Sequence, residues 1–100
     1  MSTRCLGIGL ALVLAVIPPA VSVAAPSGAV LAASCFSCHG PGGESPGAIP
    51  PLAGLDAERL RQSLDDFRAG SAEATVMTRI AKGFTPAELA TIIEYLTSGN

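Results

Sequence analysis

Apolar positions along the chain fall into two regimes. From Leu6 to Ile17 almost every residue is apolar, and Pro18 and Pro19 end the run. Further on, apolar residues recur at helical intervals between polar ones. Leu60, Leu64 and Phe67 stand at i, i+4 and i+7, after Asp56 and before Gly70. That spacing predicts an amphipathic helix over Asp56–Ala69, N-capped by Asp56 and stopped by Gly70, with Arg61, Asp65 and Arg68 on its wet face. Leu89, Ile92, Ile93 and Leu96 repeat in the same way up to Gly99. They follow Thr85-Pro86-Ala87-Glu88, in which Thr85 caps, Pro86 takes the first helical position and Glu88 reaches back as a capping box. Gly28–Cys38, rich in Ala, reads as a short helix, and so does Thr75–Lys82 before Gly83. Gly40–Gly54 is too dense in Gly and Pro for a regular element, and a structured loop is expected there. No stretch reads as a strand and none repeats, so the chain is expected to be all-α, with three to five short helices.

The leading apolar run changes the picture of the chain's layout. Arg4 gives a basic start, Leu6–Ile17 a hydrophobic stretch, and Ala20–Ala25 a small, lightly polar end. This is the layout of a secretory signal peptide. Cleavage fits after Ala24, with Ser22 at −3, or after Ala25, which leaves Pro26 at +1; the first frame is preferred. The run stops at Pro18, short of the ~20 residues a membrane span requires, so the mature protein is not expected to span a membrane. Residues 1–24 are thus expected to be a signal peptide, 25–100 a single domain, and the destination the periplasm. Beyond residue 24, Arg59, Arg61, Arg68, Arg79 and Lys82 face Glu44, Asp56, Glu58, Asp65, Asp66, Glu73, Glu88 and Glu94, an acidic excess of three. Nucleic acid is not an expected partner, because phosphate binding requires a basic footprint.

Removal of the leader takes Cys5 with it and leaves Cys35 and Cys38, followed at once by His39, the chain's one histidine. Cys35-Phe36-Ser37-Cys38-His39 matches C-x-x-C-H, the attachment signature of c-type haem. Residues three apart on a helical turn share a face, so both sulfurs can reach one porphyrin edge while the next side chain offers imidazole to the iron. Three other readings of the pair are weaker. A Cys35–Cys38 disulfide closes too short a loop to restrain the unfolded chain much. A thioredoxin-like pair belongs in a βαβ setting, and the helical pattern offers none. A zinc site takes four ligands, and two Cys and one His do not supply them. A covalently held cofactor also suits the economy of so small a domain: aromatic residues are only 4% of the chain, and small cores need a staple.

The iron's sixth position has few candidates. Met1 leaves with the leader, so Met77 is the remaining methionine. Its soft thioether suits reduced iron, and His/Met ligation raises the reduction potential relative to two histidines. Lys82 and water stand as alternatives.

These residues resemble the class I cytochrome c family over nearly all of the chain beyond the leader. The resemblance is carried by Cys35-x-x-Cys38-His39-Gly40, the Gly/Pro-rich loop, Pro50-Pro51-Leu52-Ala53-Gly54-Leu55, Met77 and a closing helix bearing Tyr95. It implies a small fold wrapped around one covalently bound haem, with Cys35, Cys38, His39 and Met77 as the haem-binding residues and His39 and Met77 on the iron. It also implies that a proline carbonyl, from Pro50 or in the other register Pro51, orients His39 through its second nitrogen. The first and last helices should cross, with Ala29–Ala33 against Ile92, Tyr95 and Leu96. Phe67-Arg68-Ala69-Gly70 and Ala74–Phe84 are similar, more narrowly, to the cytochrome subunit of flavocytochrome c sulfide dehydrogenase. The expected function is therefore that of an exported single-haem electron carrier serving redox partner proteins, with no catalytic residues of its own. The alternative is an electron-accepting subunit bound to a flavoprotein that oxidises sulfide.

Overall fold

The computed structural model describes residues 14–99. Most of the apolar stretch of the expected signal peptide lies outside the described residues. Residues 14–27 are exposed and take no regular element. Four helices follow: α1 (Gly28–His39), α2 (Ala57–Ala69), α3 (Met77–Lys82) and α4 (Pro86–Thr97), with a 3-10 turn at Pro41–Gly43 after α1. Among the described residues there is no strand, and no helix is long and apolar enough to cross a membrane. The all-α expectation holds, and four helices agree with the small class I cytochrome c fold that the resemblance implies.

Local chemistry accounts for most of the helix ends. Asp56 accepts from the Arg59 N–H at 2.7 Å, and Gly70 closes α2 in the left-handed region at φ 74°, where a residue without Cβ is at ease. At α4 the capping box is complete: the Glu88 N–H donates to Thr85 Oγ1 at 3.2 Å and the Thr85 N–H to Glu88 Oε2 at 2.8 Å. Ser27 caps α1 by accepting from the Val30 N–H. The third helix begins at Met77, two residues later than the pattern predicts. Val76 has φ −127° and serves as the cap without any side-chain bond; its carbonyl accepts from Arg79 and Ile80 N–H.

The helices pack as α1 on α4 and α2 on both α3 and α4. Ala32 is fully buried against Leu89 and Ile92, with Leu31, Cys35, Phe36, Leu64, Phe84, Tyr95 and Leu96 around them. The α1 contact surface is thus narrower than Ala29–Ala33. Ala29 and Ala33 are exposed, and the close approach is made by Gly28 and Ala32, one helical turn apart on the same face. A Cβ on Gly28 would stand 2.7 Å from Tyr95 Cβ and 3.0 Å from the Thr91 carbonyl oxygen. Gly28→Val is therefore expected to push α1 off α4 and lower unfolding stability by about 2 kcal/mol. Urea titration of the haem-loaded protein checks this: an unchanged midpoint would show that the crossing tolerates a side chain at Gly28.

Arg68 also differs from expectation. It is half-buried and donates from Nη1 to the Ala81 carbonyl at 3.1 Å and to the Phe84 carbonyl. A long side chain can leave the wet face of an amphipathic helix when orphan carbonyls lie within reach of its guanidinium.

Candidate haem-attachment site

Cys35, Cys38 and His39 occupy the last turn of α1. Cys35 leans toward the core, half-buried, while Cys38 is exposed. Partial burial pushes the Cys35 thiol up, outweighing the hydrogen bonds with Ser34 and the backbone that pull it down.

The imidazole orientation is fixed from outside the helix. His39 Nδ1 lies 2.6 Å from the Pro50 carbonyl oxygen. A carbonyl can only accept, so Nδ1 carries the proton and donates, and in the neutral ring Nε2 keeps its lone pair for a metal. The register is that of Pro50, not Pro51. The loop is held in that register by Gly43, whose carbonyl accepts from Leu52 N–H at 2.8 Å and Ala53 N–H at 3.2 Å. Gly43 has φ 77°, and a Cβ there would meet Leu52 Cβ at 2.9 Å, so both conformation and space call for glycine. Composition marks this loop as structured, but the clamp needs the two ends in contact to be seen.

Met77 lies on a separate element. It is the first residue of α3 and half-buried, on a helix that packs chiefly against α2. Of the residues expected to meet the haem, the structure brings Cys35, Cys38 and His39 together on one turn, with Met77 presented from another part of the chain. Several apolar side chains of the loop and distal segment remain exposed: Ile49 in the former and Leu55 just after it, Val76 and Ile80 in the latter. The fully buried set is small in number and volume, with Ala32, Leu60, Ala81, Leu89, Ile92 and Ile93. Among the described residues no three His, Cys, Asp or Glu cluster as a metal site. Two thiols, an imidazole with its tautomer set, a thioether and uncovered apolar side chains are a donor set and surround that fit a flat apolar macrocycle with one central metal. A bare ion does not use them.

Comparison with known proteins agrees with this chemistry. The cytochrome c family pattern matches residues 25–100. The chain is 44% identical over 68 residues to the cytochrome subunit of sulfide dehydrogenase of Chlorobaculum tepidum, covering 68% of this chain and 62% of that protein. It is 37% identical over 65 residues to cytochrome c-552 of Acidithiobacillus ferridurans, covering 65% of this chain and 28% of that protein. It is 38% identical over 60 residues to a thiosulfate dehydrogenase electron acceptor of Stutzerimonas stutzeri, covering 58% of this chain and 28% of that one. The chain thus spans less than two thirds of the first relative and under a third of the other two. A C-x-x-C-H turn at the end of the first helix, a four-helix fold and a family match across three quarters of the sequence converge: this chain belongs to the cytochrome c family, whose cofactor is covalently attached haem c.

Proposed function

We propose that this chain is an exported carrier of single electrons whose one haem is bonded through Cys35 and Cys38, with His39 and Met77 as axial ligands. The observation that carries the reading is the 2.6 Å hydrogen bond from His39 Nδ1 to Pro50. It sets the tautomer and turns the ring's other nitrogen into a ligand, as second-sphere partners of metal-bound histidines do. When bound, haem c supplies a one-electron ferric/ferrous couple. The chain's own residues do the rest. The C-x-x-C turn fastens one edge, Pro50 and the Gly43 clamp hold the imidazole still, and Met77 gives a soft sulfur donor that favours the reduced state. A ligand set held this firmly changes little between oxidation states, and this keeps transfer fast.

The apolar and small residues of the Gly42–Ile49 loop suit brief docking of a redox partner without a large charged patch. Export is supported by the basic-apolar-small pattern of residues 1–24, and the periplasm is the proposed location. A second reading is favoured by one observation, the 44% identity to the cytochrome subunit of a sulfide dehydrogenase: the chain as the electron-accepting subunit of a similar complex with a flavoprotein.

The test is an optical spectrum of the haem-loaded mature protein, ferric and ferrous, followed by acid-acetone extraction. Haem that stays with the polypeptide and a ferric sulfur-to-iron band toward the red are expected. Haem that extracts would reject attachment, and a missing sulfur band would reject Met77. Purification from the native source separates the two readings: a lone small cytochrome supports the carrier, a flavin-bearing partner the subunit.

A further inference from the structure

We propose that Arg68 is a positioning residue for the distal ligand: held between α2 and the far end of α3, it fixes Met77 and so sets how readily the methionine sulfur leaves the iron. This rests on the assignment of Met77 as a ligand. The third helix is too short to hold itself. It has six residues and an N-cap, Val76, without a side-chain bond, whereas isolated helices of this length are unstable in water. Its place must come from outside.

Arg68 supplies the tie. Its Nη1 donates to the Ala81 carbonyl in the last turn of α3 and to the Phe84 carbonyl in the link to α4. The last carbonyls of a helix have no intrahelical partner, and charge-assisted bonds to them are stronger than neutral ones. Among the described residues the ion pair present is Glu58–Arg61 at 2.8 Å, so the contacts of the Arg68 guanidinium are backbone carbonyls rather than a carboxylate. Ala81 itself is buried at 1% exposure and Phe84 packs on the core, which anchors the acceptors. Ala81 lies four residues after Met77, about 6 Å along the helix axis, so once Arg68 holds the far end of the helix its first residue is held with it.

The experiment compares haem-loaded wild type with Arg68→Met, Arg68→Lys and, as a control for general destabilisation, Thr85→Ala, which removes the α4 cap. Three readouts are taken: the ferric sulfur-to-iron band, the dissociation constant for added imidazole, and global unfolding in urea by far-ultraviolet circular dichroism. Imidazole competes for the sixth position, so its apparent affinity scales with the fraction of time the sulfur is off. Arg68→Met is expected to tighten imidazole binding about tenfold beyond Thr85→Ala, the size of effect that loss of such hydrogen bonds gives. Arg68→Lys should fall between, since one ammonium does not reproduce the planar fork. If Arg68→Met does not fold, the lysine variant carries the comparison. Imidazole affinity that follows global stability alike in all variants would overturn the positioning role and leave Met77 ligation standing. A wild-type protein without the sulfur band would overturn the Met77 assignment and this proposal with it.

Discussion

Replacing both Cys35 and Cys38 with alanine is expected to abolish acid-resistant haem and to leave the chain largely unfolded at ambient temperature. The expected loss is the whole stability of a small domain, roughly 5–15 kcal/mol. The argument lies in what the helices can bury without help. The buried apolar set holds two alanines among six residues, and Ile49, Leu55, Val76 and Ile80 remain exposed. Small domains bury too little surface to offset chain entropy unless a covalent staple or cofactor assists. With the thioethers gone, haem is held only by axial bonds and is lost to dilution or acid. Acid-acetone extraction and a thermal melt by circular dichroism of the purified variants give the answer. Each single variant should keep one bond and fall between wild type and double mutant. Acid-resistant haem in the double variant would mean that the attachment lies elsewhere.

Met77→Ala carries the second largest expected effect, and it falls on redox chemistry more than on folding. Truncation removes the one methionine sulfur in the sequence besides that of Met1. Water or a nitrogen ligand such as Lys82 then takes the sixth position. Harder ligands favour ferric iron, so the reduction potential should drop by a sizeable part of the roughly 0.8 V that axial ligands command. The sulfur-to-iron band should vanish and the ferrous form should bind carbon monoxide at neutral pH. Spectroelectrochemistry of the haem-loaded variant measures the shift. A potential equal to that of wild type would assign Met77 to packing, the common role of a half-buried methionine.

Arg68 and these two predictions bear on different parts of one device. On the proposed reading, Cys35 and Cys38 decide whether haem stays, Met77 the potential, and Arg68 how long the sulfur remains in place. Gly28 stands apart, because it acts through the α1–α4 crossing and needs no cofactor contact to matter.

The sequence by itself determined whatever is settled within about four residues. Asp56, Gly70, Thr85 and Glu88 announce helix ends because caps are bonds between near neighbours. The Cys35–His39 pentapeptide announces its chemistry because thiol and imidazole spacing on one turn is local geometry. The apolar rhythm of α2 and α4 names the buried Leu60, Leu89, Ile92 and Ile93 without any knowledge of what covers them. Tertiary structure alone decided the rest. Pro50 and Pro51 are equivalent until the Gly43 clamp fixes the loop against the end of α1. Ala29, Ala32 and Ala33 are equally small, and only the partner helix selects Gly28 and Ala32 as the crossing face. Arg68 sits where an amphipathic pattern places a solvated charge, and it turns inward because the end of α3 and the link after it bring carbonyls to it. Each of these depends on contacts between residues distant in the chain, whose geometry is set by packing and is not encoded in any short window.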